Sequence, residues 1–176
     1  VLPMSAEPTD LLAFYPKGRC RVGELSVDEM PIMPENLMLA PLVKAPAQAK
    51  DAIKNADLII IGPGSFLTSL IPPLLVRDIS NALKERKGHC VFIDNLVKEN
   101  SPAANLTIDE RLNWVKDNIG CQPIDSVITS DTTATSDLAE IKHFELSSSK
   151  NERLHSAEKL VSALEAAITL KQDKAG

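Results

Sequence analysis

Ala56-Asp57-Leu58-Ile59-Ile60-Ile61-Gly62-Pro63-Gly64-Ser65-Phe66-Leu67-Thr68-Ser69-Leu70-Ile71-Pro72 is the stretch on which the fold turns. The apolar residues at 58–61 do not alternate with polar ones, which fits a strand buried on both faces better than a half-exposed one. A glycine loop follows at once, and Pro72 or Pro73 suits the first turn of a helix. That helix is expected to carry Leu75, Val76, Ile79 and Leu83 on one stripe. It should end at Lys84, Arg86, Lys87 and Gly88, where cations suit the dipole and glycine the cap.

Downstream the same unit recurs. Residues 90–93 read as a second buried strand, and Thr107-x-x-Glu110 as a capping box opening a helix with Ile108, Leu112, Val115 and Ile119 on one face, closed by Gly120. A third strand is expected near residues 126–129, a polar loop through Asp137, a short strand near 143–146 and a last helix from Ser156 to about Leu170. Upstream, a short helix runs from Pro46 to about Asn55. Before it, Pro31, Pro34, Pro41 and Pro46 break up a connecting stretch that leaves room for one strand around 37–40. At the N-terminus, residues 11–14 and 20–25 flank Tyr15-Pro16-Lys17-Gly18, a turn signal that predicts a β-hairpin.

Short apolar strands alternating with amphipathic helices imply an α/β fold, a Rossmann-like parallel sheet covered by helices with an N-terminal β-hairpin. We expect residues 1–176 to form the C-terminal portion of a single α/β domain, with 1–45 as hairpin and connecting stretch and 46–176 as the alternating units. The few parallel strands and the start at Val1 suggest that further strands belong to a segment not included here.

Composition narrows the function classes. A net charge of −5 and a pI near 5.2 oppose a nucleic-acid binder, which needs dense positive charge, and 3% aromatic residues leave no base-stacking platform. Cys20, Cys90 and Cys121 form no C-x-x-C pair and leave an odd count, which fits a reducing compartment. No apolar run approaches the roughly 20 residues needed to span a bilayer. We therefore expect a cytoplasmic protein without nucleic-acid or membrane partners.

Gly62-Pro63-Gly64-Ser65 closes a strand at its carboxyl end, where open α/β sheets bind ligands. Glycines let the backbone approach an anion, and Ser65, Thr68 and Ser69 add hydroxyl donors ahead of a helix. The chemistry fits a phosphate or nucleotide moiety. The pattern is neither G-x-G-x-x-G nor G-x-x-x-x-G-K-[ST], and Pro63 lacks an N–H, so the same residues equally make a tight strand-to-helix connection. Asp94 and Asn95 end the second strand on the same sheet edge, and Asp131 follows the third. Each reads as a ligand contact or as an Asx turn, the turn being the stronger reading for Asp94 than for Asn95. His89, His143 and His155 lack metal-ligand spacing, so no metal and no cofactor is expected. His89 reads as solvated surface and His155 as a residue orienting the last helix's turn. Trp114 is assigned to helix packing, and Lys171 and Lys174 to solvated faces.

Residues 56–72 resemble the signature A-D-L-I-x-x-G-P-G-S-L-[YF]-T-S-I-x-P of the gluconeogenesis-factor family, relatives of the CofD phospholactate transferases, which usually place serine and asparagine after G-P. Val1-Leu2-Pro3 is similar to the family's V-L-P-x-T, and Gly23-Glu24 to its G-E. Asn95-Leu96 and Thr107 fall where it carries N-x-M-T-Q-P-G-E-T and G-Y-T. The family's M-T-Q-P-G-E-T is replaced by residues 97–103, and its aromatic residue before the threonine is Leu106, so no aromatic stack on a ligand is expected there.

The resemblance implies a cytoplasmic protein, expected as a homodimer, that binds uridine-diphosphate (UDP) sugars and supports gluconeogenic growth, cell shape and wall synthesis. A G-G-G-T-G loop is expected in the segment outside this chain. On this reading Gly62, Pro63, Gly64, Ser65, Thr68 and Ser69 hold phosphate and Asn95 fixes the ligand's polar edge, in a regulator more than an enzyme. The alternatives are a transferase of the phospholactate type, moving a phosphate-linked group, and a packing or oligomerisation module without ligand.

Overall fold

The computed structural model describes residues 1–172, with side chains to residue 167. Two sheets organise it. The first is antiparallel, in the order β2-β1-β3, built from β1 (Asp10–Tyr15), β2 (Arg19–Val22) and β3 (Asn36–Ala40). The expected hairpin forms through a tight turn at Pro16–Gly18, with Tyr15 opposite Arg19. β3 pairs along the other side of β1, and alternation puts Leu11, Ala13, Tyr15, Leu37 and Leu39 into the core.

The second sheet is wholly parallel, in the order β4-β5-β6-β7: β4 (Leu58–Ile61), β5 (His89–Ile93), β6 (Ser126–Thr129) and β7 (Glu140–His143). Parallel neighbours need crossovers. Between β4 and β5 these are α3 (Ile71–Leu75) and α4 (Arg77–Lys84), and between β5 and β6 the helix α5 (Ile108–Ile119). β5 is buried on both faces, as its unbroken apolar run predicts, whereas β4, for which the same was expected, lies at the sheet edge and leaves Ile60 exposed. Cys90 and Phe92 pack against Ile108 and Leu112 of α5, whereas Val91 and Ile93 pack against Ala163 and Ala167 of the C-terminal helix α6 (Ala157–Gln172). The α/β reading holds, with helices on both faces. A larger cluster joins Leu11, Leu37 and Leu39 of the first sheet to Leu67, Ile71 and Leu74 beside β4. Trp114 packs edge-on against Phe66 with ring centroids 5.9 Å apart.

The N-terminal rim of the parallel sheet is densely tied. Asp125 accepts the Cys90 N–H at 2.8 Å and an Arg86 N–H at 2.9 Å, and His89 bonds Ser126 at 2.9 Å while its other ring nitrogen lies 3.4 Å from Asp125. Burial pushes the Asp125 carboxyl up, but the Cys90 N–H, Arg86 and His89 outweigh it and hold the group below its ordinary value. Gly88 passes so close to the turn before β4 that a Cβ would stand 2.1 Å from the Ala56 carbonyl oxygen.

Several expectations need correction. Residues beyond Val22 leave the hairpin and form α1 (Glu24–Asp28), because Gly23 at φ +87° turns the chain out of the sheet. The single helix expected from Pro72 or Pro73 is two pieces, α3 and α4, divided where buried Val76 takes an extended conformation, and the loop before it holds a π-helical turn (Phe66–Leu70). The strand expected near 143–146 lies at Glu140–His143, and Leu146 follows it into the core. A small hairpin of β8 (Ser147–Ser148) and β9 (Asn151–His155), polar and mostly exposed, was not expected. His89 is not solvated surface, since its side chain is 11% exposed inside the Asp125 network. α2 (Ala47–Asn55) and the Thr107–Glu110 capping box form as expected. Lys174 and the side chain of Lys171 lie outside what is described. No helix among the described residues is long and apolar enough to cross a membrane.

Candidate functional site

At the C-terminal rim β4 runs into Gly62 at φ +87°, a conformation that L side chains avoid. A Cβ there would lie 2.8 Å from the Ile93 carbonyl oxygen, so glycine is required by both angle and space. The Gly62–Pro63 peptide is cis. Asn95, just past β5, donates its amide to the Gly64 carbonyl at 3.1 Å and ties the loop to the neighbouring strand.

The donors beyond the glycines are already engaged by two carboxylates from distant segments. The Phe66 N–H donates to Glu99 Oε2 at 2.9 Å, and Ser65 Oγ lies 3.1 Å from the same oxygen. Ser65 Oγ is also 3.3 Å from each oxygen of Asp28, at the end of α1, while Thr68 donates to Asp28 Oδ2 at 2.9 Å. Thr68 is buried, with its hydroxyl committed to Asp28. Neither Asp28 nor Glu99 was singled out from the sequence. They stand 37 and 34 residues from Ser65, and no motif links them.

The expected site residues thus divide. Pro63, Gly64, Ser65 and Asn95 line one open cleft of about 450 Å³, together with Glu99 and His155 of β9. Thr68 and Ser69 face a second depression of about 310 Å³ towards Thr9, Asp10 and Gly23. Gly62 lines neither, being covered by Ile93. His155 Nε2 is buried beside the first cleft without a hydrogen-bond partner among the described residues.

A further cleft of about 430 Å³ adjoins the first through Asn95, Leu96 and Val97, and is walled by Asp94, Arg111, Asp131 and Thr133. Asp94 is a hub more than a local turn. It receives Arg111 Nη1 at 2.6 Å on one oxygen and the Thr129 hydroxyl at 3.1 Å on the other. Asp131 is the turn former: the Thr133 hydroxyl and N–H both donate to it and hold its carboxyl below the usual range. The two clefts share Asn95, Leu96 and Val97 and lie along the ends of β4, β5 and β6, where open parallel sheets bind ligands. Among the described residues no group of three or more His, Cys, Asp or Glu is placed to hold a metal ion.

Residues 1–169 match the family model described as 2-phospho-L-lactate transferase CofD. The relative from Pasteurella multocida that carries the gluconeogenesis-factor name is 41% identical over 140 residues, covering 80% of this chain and 45% of its own length. The relative of the same name from Yersinia pestis is 42% identical over 133 residues, with 75% and 43% covered. The chain therefore spans less than half the length of these curated relatives. Among solved structures, a crystal structure of a Bacillus halodurans protein superposes with a TM-score of 0.78 at 27% identity, covering 93% of this chain and 60% of that one. A Bacillus halodurans structure described as a UPF0052 family member gives 0.68 at 29% identity, covering 78% and 44%.

Proposed function

The chain belongs to the CofD family, with gluconeogenesis factors among its relatives, and on that premise we propose that it is the ligand-binding portion of a cytoplasmic regulator that binds a UDP-sugar or a related phosphate-containing small molecule. The observation that carries the reading is the groove itself. A positive-φ glycine loop at the end of β4 opens into a polar cleft that continues past Asn95 to Asp94 and Arg111. Gly64 and Ser65 lie at the end suited to phosphate, and the threonines and carboxylates at the other end suit a hydroxyl-rich group. Roles in gluconeogenic growth, cell shape and wall synthesis, and a dimeric state, belong to the same proposal.

Calorimetric titration of the full-length protein with uridine-diphosphate N-acetylglucosamine tests it. Ser65→Ala should weaken binding about tenfold, the loss of roughly one hydrogen bond to a charged group. Unchanged affinity in that variant would reduce the loop to a structural turn. The description of the family model favours a second reading, a transferase moving a phosphate-linked group. Turnover of a phosphate-linked donor in the presence of an acceptor would separate it from binding alone.

A further inference from the structure

We propose that Glu99 is a built-in anion seated where the ligand's phosphate belongs, and that it sets which anions the glycine loop accepts; this rests on the phosphate-loop reading above. The Phe66 N–H and the Ser65 hydroxyl are the donors a phosphate oxygen would seek at a strand-to-helix loop. Glu99 Oε2 takes the first at 2.9 Å and stands 3.1 Å from the second. A carboxylate oxygen and a phosphate oxygen make the same kind of charge-assisted bond to such donors, so the two compete for one place.

The local count of hydrogens says which carboxylate can leave. Ser65 has one hydroxyl hydrogen and three carboxylate oxygens within 3.3 Å, two of Asp28 and one of Glu99. Asp28 keeps the Thr68 hydroxyl at 2.9 Å whichever way Ser65 turns. Glu99 keeps only the Phe66 N–H, and its other oxygen, Oε1, is buried with no hydrogen-bond partner among the described residues. A buried carboxylate oxygen without a donor is costly, so Glu99 is the weakly held member. It also sits within the loop between β5 and α5, between exposed Lys98 and exposed Asn100 on the rim of the open cleft.

The consequence is selectivity. A small free anion must displace Glu99 and tolerate Asp28 with nothing else gained. A ligand that also fills the groove towards Asp94 and Arg111 recovers that cost from its remaining contacts. Glu99 thus biases the loop against free phosphate and pyrophosphate and in favour of an esterified diphosphate.

The test is calorimetric titration of the full-length wild type, Glu99→Ala, Glu99→Gln and Ser65→Ala with inorganic pyrophosphate and, separately, with uridine-diphosphate N-acetylglucosamine. Glu99→Ala should bind pyrophosphate at least about tenfold more tightly than wild type, with Glu99→Gln between them because it keeps an acceptor and loses the charge. The gain should persist at about 0.5 M salt, where general charge effects are screened and direct competition for two donors is not. Pyrophosphate affinity no higher in either Glu99 variant than in wild type overturns the proposal, as does a gain abolished by salt. If that happens while Ser65→Ala still loses the sugar nucleotide, the phosphate-loop reading survives without the plug. If no variant binds either probe, both fall together. Thermal unfolding of each variant identifies any that misfolds, and Glu99→Gln, nearly isosteric, keeps the comparison decisive if the alanine variant fails.

Discussion

Asp125, at the N-terminal rim of the parallel sheet, accepts a backbone N–H at 2.8 Å and a guanidinium N–H at 2.9 Å and has a histidine ring 3.4 Å away. Glu99, at the opposite rim, accepts one firm backbone N–H at 2.9 Å and leaves an oxygen buried with no hydrogen-bond partner among the described residues. The two carboxylates differ by chain position and not by chemistry. Asp125 directly precedes β6 and is carried by the sheet, whereas Glu99 lies on a loop that must cross from β5 to α5. At one rim both carboxylate oxygens are bonded in a network that ties strands together, while at the other one carboxylate oxygen is left without a donor among the described residues, as a surface that exchanges partners requires.

The sharpest way to break this contrast is Gly88→Ala. Its Cβ would meet the Ala56 carbonyl oxygen at 2.1 Å and the Asp57 carbonyl carbon at 2.5 Å. Both are backbone atoms between α2 and β4, so we expect a loss of about 3 kcal/mol or more by denaturant unfolding. Gly62→Ala attacks the other rim, where positive φ and a 2.8 Å approach to Ile93 act together. It should cost on the order of 2 kcal/mol and, unlike Gly88→Ala, also reduce ligand affinity in any variant that folds.

Asp125→Asn sharpens the comparison by pH. The carboxyl's folded pKa lies below its unfolded value, so its contribution is fully present above the ordinary carboxylate range near pH 4 and fades as pH falls through the folded pKa. The variant should be about 1.5 kcal/mol less stable at pH 7, and the gap should close as unfolding curves are taken below about pH 4. A gap that stayed constant with pH would mean that the network does not depend on the charge. The smallest effect is expected from Thr107→Ala, which removes the reciprocal bonds with Glu110 at the start of α5. About 1 kcal/mol of stability should go, as read by denaturant unfolding at pH 7.

What could be read from the sequence follows how far apart the partners lie. The Thr107–Glu110 box was legible because both halves sit three residues apart, and β4 because its run of apolar residues has no polar member. The break at Val76 was not, since the helical stripe continues through it. The chain is instead set by tertiary contacts, with Val76 in the core and Asp78 accepting the Ala45 N–H at 3.1 Å. The β8–β9 hairpin has too few buried apolar residues to show a period. At the site, the glycine loop and Asn95 were visible as strand-end chemistry, and Asn95 does reach Gly64. Asp28 and Glu99 were invisible because only folding brings α1 and the β5–α5 loop to Ser65. His89 was misread for the same reason, its partners Asp125 and Ser126 arriving from β6 and the turn before it.

The edge-on contact between Phe66 and Trp114 gives the protein an optical handle. Trp114 is the only tryptophan in the chain, and its ring stands 5.9 Å from that of the residue whose N–H holds Glu99. Ultraviolet emission of the unlabelled chain therefore reports on one address, the start of the π-helical turn, with no second indole to dilute the signal. Exchange of one anion for another at that N–H should be readable as a change in intrinsic fluorescence, in real time and without a probe attached to either partner.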